Sequence, residues 1–521
     1  MGRSNVVPVV SPTQAAEWDS RALAAGISIE TLMETAGRAV AHVLADRYGS
    51  RLRQGALVAA GSGNNGGDGW VIARALHRLG LPVWIAALPT SREDGPAAAM
   101  VRRARADGVR EVAADGPWPA VGLLVDAVLG TGAAGPPRGA ARALIERLAE
   151  LELPVAAVDG PSGLDLGDGV QHGLLRADLS VTFGGYRRGH LLARDDVGDV
   201  VVVDIGFPPP DSTWPVLFTD QSAQNHLSEF RADMHKGDRG RIVVVGGGPG
   251  LTGAARMAAR AAFAGGAGFV HLVAPESSVA VFAAAEPDLQ TCVQPLDAPL
   301  GAAAIALIEK ADAVIVGPGL GTHTNRDAIV LEVARRTRRI VVDADALSAF
   351  AGAADRLRDA LADRVAVLTP HLGEFRGLAP DLATDAAIDP WSAAHHAAER
   401  LGSTLLLKGV PTVVARPGRV QITIAAGNPG LATGGSGDTL SGLIAVFLAQ
   451  GLDPEQAAAL GAQVLGRAAD IAALRHSARA MRPSDVVAAI PDLWRGWELA
   501  SRAGVAARPP VLHQLDRPRH A

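Results

Sequence analysis

The most pointed chemistry in this chain comes late, where Gly434-Gly435-Ser436-Gly437-Asp438 runs directly into the apolar, helix-forming stretch Thr439–Gln450. Glycines at a helix N-terminus leave unpaired backbone N–H groups at the positive end of the dipole, an anion hole suited to a transferring phosphoryl group. Asp438 follows where a carboxylate can take a proton from a substrate hydroxyl. A plain helix cap needs no such cluster. After the apolar run Thr404–Leu407, Lys408-Gly409-Val410-Pro411-Thr412 sets an ammonium where it could meet phosphate as a point charge or lie solvated on the surface. Thr369-Pro370-His371-Leu372-Gly373-Glu374 brings a His and a Glu toward the same edge, although a lone His serves structure as often as chemistry. His235–Gly240 sets Lys236 just ahead of a strand.

The first half carries a different set of groups. Gly61-Ser62-Gly63-Asn64-Asn65-Gly66-Gly67-Asp68-Gly69 follows the apolar run Ala56–Ala60, and Gly61, Gly63 and Gly66 satisfy a dinucleotide fingerprint. Gly248, Gly250 and Gly253 repeat the pattern after Arg241–Gly246, with Glu276 near the place of a ribose-binding acid. Either loop is equally readable as a tight strand-to-helix turn. Asn64, Asn65 and Asp68 add amide and carboxylate groups that suit a ribose, an amide or a hard cation better than pyrophosphate alone. Asp126–Gly132 and Asp159–Asp165 share that chemistry after their own apolar runs. In a parallel sheet Asn65, Asp126, Asp159 and Ser162 should therefore converge at the carboxyl edge, where their oxygens could hold an alkali or divalent ion. Each Asp taken singly also reads as a cap or turn former. Gly160-Pro161-Ser162-Gly163-Leu164 fails as a nucleophile elbow because Leu164 stands where glycine is required.

Strands must present these loops. Ala56–Ala60, Val83–Ala87, Leu123–Leu129 and Val155–Asp159, then Arg241–Gly246, Phe269–Ala274, Ala313–Gly317, Ile340–Asp343 and Val365–Thr369, alternate with Ala/Leu/Arg stretches of helical period. The alternation predicts an α/β fold with parallel sheets covered on both faces. Two domains are expected, 1–210 and 231–502, joined by a Pro-rich linker over 211–230, with a disordered tail over 503–521. At 521 residues, 48% hydrophobic and 20% charged, the chain has material for two buried cores. A net charge of −5 without an Arg-aromatic stretch argues against a nucleic-acid partner. Lys236, Lys310 and Lys408 are its lysines, against a large excess of Arg. Cys292 stands alone, which excludes an intrachain disulfide and suits a reducing compartment. Met1–Pro12 lacks an apolar signal core and no run approaches the roughly 18 apolar residues of a membrane span, so a cytoplasmic protein without a membrane partner is expected.

Taken together, these motifs carry a family resemblance. Residues 10–210, through Gly63–Gly69, Asp126–Gly132 and Asp159–Asp165, resemble the NAD(P)H-hydrate epimerase domain, Rossmann-like with three α/β/α layers. Residues 230–500, through His235–Gly240, Gly317–Gly321, Thr369–Glu374, Lys408–Thr412 and Gly427–Asp438, resemble the ribokinase-like, nucleotide-dependent NAD(P)H-hydrate dehydratase. The whole is similar to the bifunctional NAD(P)H-hydrate repair enzymes, which implies epimerisation of R and S hydrates and dehydration of the S form with ADP. The resemblance implies hydrate contacts from Asn64, Asn65, Gly66, Gly67 and Asp68, from Gly130, Thr131, Gly132, Ala133, Ala134, Gly135 and Pro136, and from Asp159. It implies a potassium ion on Asn65, Asp126 and Ser162. In the second domain it implies hydrate contacts from Ala254, Gly319, His371 and Asp438, and nucleotide contacts from Lys408, Gly409, Val410, Pro411, Thr412 and Gly437, with magnesium accompanying ADP. Asp438 and Asp159 are the expected catalytic acid/base groups, the partners are NADHX, NADPHX and ADP, and a homo-oligomer is expected. Arg187 stands where relatives carry Lys, and Thr131–Pro136 lacks their aromatic and Lys. A ribokinase-like small-molecule kinase and an NAD(P)-binding dehydrogenase or sensor are the competing readings.

Overall fold

The computed structural model describes residues 6–173, 175–503 and 510–519. The described residues up to Trp214 fold as one unit, joined by the terminal stretch that ends at Arg517; those from Pro215 onward fold as a second. The first unit contains β1 (Val7–Val10), β2 (Ala56–Ala60), β3 (Val83–Ala87), β4 (Arg110–Val112), β5 (Leu123–Ala127), β6 (Val155–Val158), β7 (Leu179–Phe183), β8 (Tyr186–Arg187) and β9 (Asp199–Val203). Its sheet runs β9-β7-β6-β5-β2-β3-β4, all parallel, while β1 and β8 pair with each other. Period-2 alternation divides the strand residues between two cores. Val58, Val125 and Val158 face the helices Ile29–Leu52 and Asn64–Arg78, whereas Leu57, Leu124 and Ala157 face Gly139–Ala149. Both faces are thus buried, as near-continuous apolar strands require.

In the second unit lie β10 (Val216–Leu217), β11 (Arg241–Val245), β12 (Phe269–Ala274), β13 (Gln290–Val293), β14 (Ala313–Val316), β15 (Arg339–Val342), β16 (Val365–Leu368), β17 (Thr404–Leu407), β18 (Thr412–Ala415) and β19 (Ile422–Ile424). The order is β13-β12-β11-β14-β15-β16-β17-β18-β19-β10, and only β18 runs antiparallel to its neighbours. Helices Thr252–Ala264 and Ser436–Ala449 cross closely over this sheet, since a Cβ on Gly442 would lie 2.1 Å from the Ala258 carbonyl oxygen. Helix Pro454–Ala480 is long and apolar enough by composition to cross a bilayer, yet 78% of its apolar window is buried in the structure, as in a core helix. In both sheets the strand order reverses beside the first glycine loop: β2 lies between β3 and β5, and β11 between β12 and β14. Open parallel sheets bind ligands at the carboxyl ends of the strands flanking such a reversal.

Two expectations need correction. The stretch 211–230 is no free linker. Phe207 and Trp214 pack on Trp18 at 4.7 and 5.3 Å between ring centroids, and Trp18 donates to the Pro208 carbonyl at 2.8 Å. After Trp214 the chain forms β10 and a short helix, Asp220–His226, whose Asp220 accepts from Gln463 and Arg467. Aromatic and apolar residues among the prolines drive this docking. The tail, expected to be disordered, instead carries strand β20 (Val511–Leu515), antiparallel to β9 in the first unit; 504–509 lie outside the described residues. Its apolar alternation spans only five residues, too short to stand out in sequence.

Candidate active sites

A cavity of about 590 Å³ opens at the carboxyl ends of β2, β5 and β6 in the first unit. Asn64, Asn65, Asp68, Gly130, Thr131, Gly132, Ala133 and Asp159 line it, as do Asp19, Phe183 and Arg187. Ala134, Gly135 and Pro136 do not. Gly66 and Gly67 lie behind the wall, where a Cβ would strike the Gly61 carbonyl at 1.9 Å and the Met33 sulfur at 2.4 Å. A Cβ on Gly61 would meet the Val128 carbonyl oxygen at 1.9 Å, so Gly61 and Gly66 serve close packing of the loops, and only Gly63 faces open space.

Asp159 is the most constrained group in this cavity. Its backbone is left-handed, φ 67°, an uncommon conformation for a residue with a Cβ. His190 steadies it: the imidazole Nδ1 accepts from Arg187 N at 3.0 Å, which leaves Nε2–H to donate to the Asp159 carbonyl at 2.6 Å. Burial holds that imidazole neutral, with its pKa lowered to about 4. The Asp159 carboxylate accepts from Thr131 N at 2.9 Å, from the Thr131 hydroxyl and from Thr182 Oγ1 at 2.9 Å, and Arg187 lies 3.4 Å away. Burial pushes its pKa up, but the Arg187 charge and these donors outweigh burial and hold it below the usual carboxylate range. Asp68 is the opposite case. Burial, reinforced by the charges of Asp159 and Asp19, raises it well above the ordinary value, which favours its protonated form. Carboxyls tuned apart in one cavity are the pattern of an acid/base pair.

Behind Asp159, Ser162 N and Oγ donate to Asp126 at 2.7 and 2.6 Å, Leu129 N donates to Ser162 Oγ at 2.8 Å, and Asn65 donates to the Leu129 carbonyl at 2.9 Å. The sequence-expected cation residues thus meet in one network of oxygens. Asp126 is fully buried, its pKa raised by burial, with hydroxyl and backbone partners and, among the described residues, no cationic side chain bonded to it.

The second constellation lies at the carboxyl ends of β15, β16 and β17. Asp343 directly follows β15 and is fully buried; Lys408 Nζ sits 3.0 Å from its Oδ1 and 3.6 Å from Glu374, and Ser441 donates to its Oδ2 at 2.5 Å. Burial would raise Asp343, but Lys408 and Ser441 hold it low, while the same carboxylates raise Lys408 against the effect of burial. Gly437 faces this group: a Cβ there would lie 3.3 Å from Lys408 Nζ and 3.8 Å from Asp343 Oδ2. Asp438 stands in the first turn of the helix Ser436–Ala449, its pKa raised to about 7 by burial and then by the Asp343 charge. A half-buried carboxyl that titrates near neutrality, beside a glycine-built helix N-terminus and an ammonium, can act as a general base on a hydroxyl. Gly409 and Val410 are exposed in the turn between β17 and β18, next to Pro411 and Thr412. Gly319 closes the loop after β14, its carbonyl accepting from Gly248 N of the β11 loop at 2.7 Å, with Ala254 in the first turn of Thr252–Ala264. His371 is the N-cap of Leu372–Leu378, its Nδ1 accepting from Gly373 N and Glu374 N. Lys236 lies over the Phe269 ring at 4.9 Å.

Residues 242–492 match the family model described as NAD(P)H-hydrate dehydratase, and residues 29–189 match the model described as YjeF-related protein N-terminus. The bifunctional NAD(P)H-hydrate repair enzyme of Escherichia coli K12 is 34% identical over 469 residues, covering 88% of each chain. That of Salinibacter ruber is 37% identical over 504 residues, covering 89% of this chain and 92% of its own. The chain belongs to the bifunctional NAD(P)H-hydrate repair enzyme family. A solved ADP/ATP-dependent NAD(P)H-hydrate dehydratase from Bacillus subtilis, co-crystallized with ATP and Mg²⁺, is 24% identical, covers 54% of this chain and 98% of its own, and has a TM-score of 0.47.

For a repair enzyme of this family, sequence reasoning overlooked Asp343, Ser441, Thr182 and His190 and took Arg187 only as a departure from pattern. Asp343 ends an apolar strand in Asp343-Ala344-Asp345, the same strand-then-Asp signal that Asp126 and Asp159 carry, and could have been found by it. Thr182 and His190 act through Asp159 and carry no sequence signal of their own. Glu276, the ribose-acid candidate of the dehydrogenase reading, is an exposed residue at the start of its own helix.

Proposed function

We propose that this chain repairs hydrated NADH and NADPH, its first unit interconverting the R and S hydrates and its second dehydrating the S hydrate with ADP, releasing AMP and phosphate. The observation that carries the reading is Asp438, raised to about 7 where the Gly434–Gly437 loop meets Lys408 and Asp343. Asp438 takes the proton of the hydrate hydroxyl as its oxygen attacks the terminal phosphorus of ADP, and the bond to AMP breaks. Hydroxide, a poor leaving group, becomes a phosphate ester. The C–O bond then breaks, phosphate leaves, and loss of a proton from the neighbouring carbon restores the ring double bond. Gly434–Gly437 would hold the phosphate oxygens, Lys408–Thr412 and Gly437 the nucleotide, and Ala254, Gly319 and His371 the hydrate.

In the first cavity, protonated Asp68 donates to the departing hydroxyl and Asp159 receives a proton from the water that returns on the other face. The hydrate lies along Asn64, Asn65 and Gly130–Ala133. A potassium ion fits Asn65, Asp126 and Ser162, because the donors are oxygens and Asp126 is a buried carboxylate with no cationic side chain bonded to it among the described residues. When bound it supplies positive charge to that network. Among the described residues no three His, Cys, Asp or Glu side chains meet at metal-ligand spacing. Magnesium would therefore take most of its ligands from the nucleotide phosphates and water, and its charge would offset that of the transferring phosphoryl group.

Purified protein with S hydrate, ADP and Mg²⁺ is expected to yield NAD(P)H and AMP. A stable phosphorylated hydrate would show a kinase instead, and unchanged hydrate at saturating ADP would end the dehydratase reading.

A further inference from the structure

Strand β20 is encoded after the whole second unit, yet it is built into the first. It covers the edge of β9 in the register from Val511↔Val203 to Leu515↔Val200. Leu515 is buried, and Val511 packs on the core beneath helix Ile29–Leu52. Asp204 N donates to the Pro510 carbonyl at 2.8 Å, Arg517 N to Asp199 Oδ1 at 2.8 Å, and the buried Arg194 guanidinium to the Asp516 carbonyl. Anchors of this kind, from both ends of the strand, fix its register.

One side chain of the strand reaches the buried Tyr186, the neighbour of the cavity residue Arg187. His513 Nδ1 lies 2.7 Å from the Tyr186 hydroxyl, with the two rings edge to face at 5.8 Å. Tyr186 is fully buried, and a buried phenol needs a partner for its hydroxyl. It directly precedes Arg187 in β8, so its position sets the backbone from which Arg187 reaches Thr131 and Asp159. Its ring also stands edge-on to His190 at 6.5 Å, the residue that holds the Asp159 backbone. Resting on the epimerase reading of this cavity, we infer that the terminal strand is a working part of the epimerase site and that His513 is a positioning residue. It holds Tyr186, and through Tyr186 the pair Arg187 and Asp159. An epimerase unit that ends at Trp214 lacks this support.

The test uses the full chain with His513→Ala, His513→Gln and Tyr186→Phe, and a chain without residues 508–521. Epimerisation and dehydration of pure S hydrate are measured separately, the latter reporting an intact second unit. His513→Ala should lower the epimerase kcat on the order of 10-fold with little change in KM, since a displacement well under 1 Å at a reacting group has effects of this size. His513→Gln, which can still bond the phenol, should recover much of the loss. Tyr186→Phe should match His513→Ala, and the double variant should be no worse than either. A peptide of residues 508–519 should restore the truncated chain. Amide exchange over Tyr186–Leu192 should quicken in His513→Ala, a readout independent of turnover. Unchanged kcat and unchanged exchange in both His513→Ala and the truncated chain would overturn the proposal. A native chain that epimerises no hydrate would instead refute the functional reading, and the exchange measurement would still decide the role of His513.

Discussion

Replacing Asp343 by Asn should move the pH profile of the dehydratase without emptying its site. Asp438 rises from 3.8 to about 7, first through burial and then through the Asp343 charge. Its ionisation therefore costs on the order of 4 kcal/mol more than in water. Because the folded-state value lies above that of the free carboxyl, the disfavoured form is the charged one. The penalty is absent below about pH 4, grows as the pH rises, and is complete only above about 7. Asp438 can serve as a base only when ionised, so kcat/KM for S hydrate with ADP should rise with pH to a plateau above about 7. Asp343→Asn removes one repelling charge and leaves the Lys408 ammonium, now 3.0 Å from a neutral amide, free to favour ionised Asp438. At an effective dielectric of about 20, two like charges several ångströms apart repel by roughly 2 kcal/mol before screening. The acid limb should accordingly move down by about one pH unit or more. The assay is the appearance of NADPH absorbance from S hydrate and ADP between pH 5 and 9, with the plateau height fitted separately from the limb. An acid limb that stays near 7 or moves up in Asp343→Asn would refute the coupling. A wild-type limb that persists in Asp438→Asn would refute the assignment of the base.

Other expected outcomes follow from the same geometry. Arg187→Met should let burial dominate at Asp159, raise its pKa and cut epimerisation at least 10-fold while S-hydrate dehydration is unchanged, as separate assays of the two reactions would show. Gly61→Ala places a Cβ 1.9 Å from a backbone oxygen and should destabilise the first unit by at least about 2 kcal/mol, read in thermal or urea unfolding of that unit. Gly437→Ala meets the flexible end of Lys408 at 3.3 Å and Asp343 Oδ2 at an ordinary 3.8 Å, so folding should change by less than about 1 kcal/mol while the KM for ADP rises several-fold. Replacing potassium with a bulky organic cation should slow epimerisation in the wild type, and Asp126→Asn should abolish that dependence.

Much of this was legible in the sequence because the chemistry sits where strands end. Runs such as Ala56–Ala60 and Phe269–Ala274 match the observed strands residue for residue, and the others run at most two residues past them. Their following loops meet at the carboxyl edges of the sheets, which brings Asn65, Asp126, Asp159 and Ser162 together at the reversal beside β2 and sets Lys408 beside Gly437 at the ends of β15–β17. What was hidden depended on contacts distant in sequence. The prolines of 207–210 suggested a linker because the partner of Phe207, Trp18, lies far upstream. Strand β20 is five residues long and gains its stability from β9, more than 300 positions earlier. The glycines of the first loop matched a phosphate-binding pattern, yet Gly61 and Gly66 are required by packing against Val128 and against each other. His371, readable from sequence as either a structural or a chemical group, caps a helix. Asp343, whose charge adds to burial in raising Asp438, was read only as the last residue of a strand.

The most direct test of two repair activities in one chain is turnover of pure R hydrate, freshly separated from S, with ADP and Mg²⁺. The wild type is expected to produce NADPH faster than the hydrates interconvert spontaneously. Asp159→Asn should convert S but not R beyond that spontaneous rate, and Asp438→Asn should equilibrate R with S and yield no NADPH. Conversion of R by Asp159→Asn at the wild-type rate, or NADPH formation by Asp438→Asn, would contradict the account.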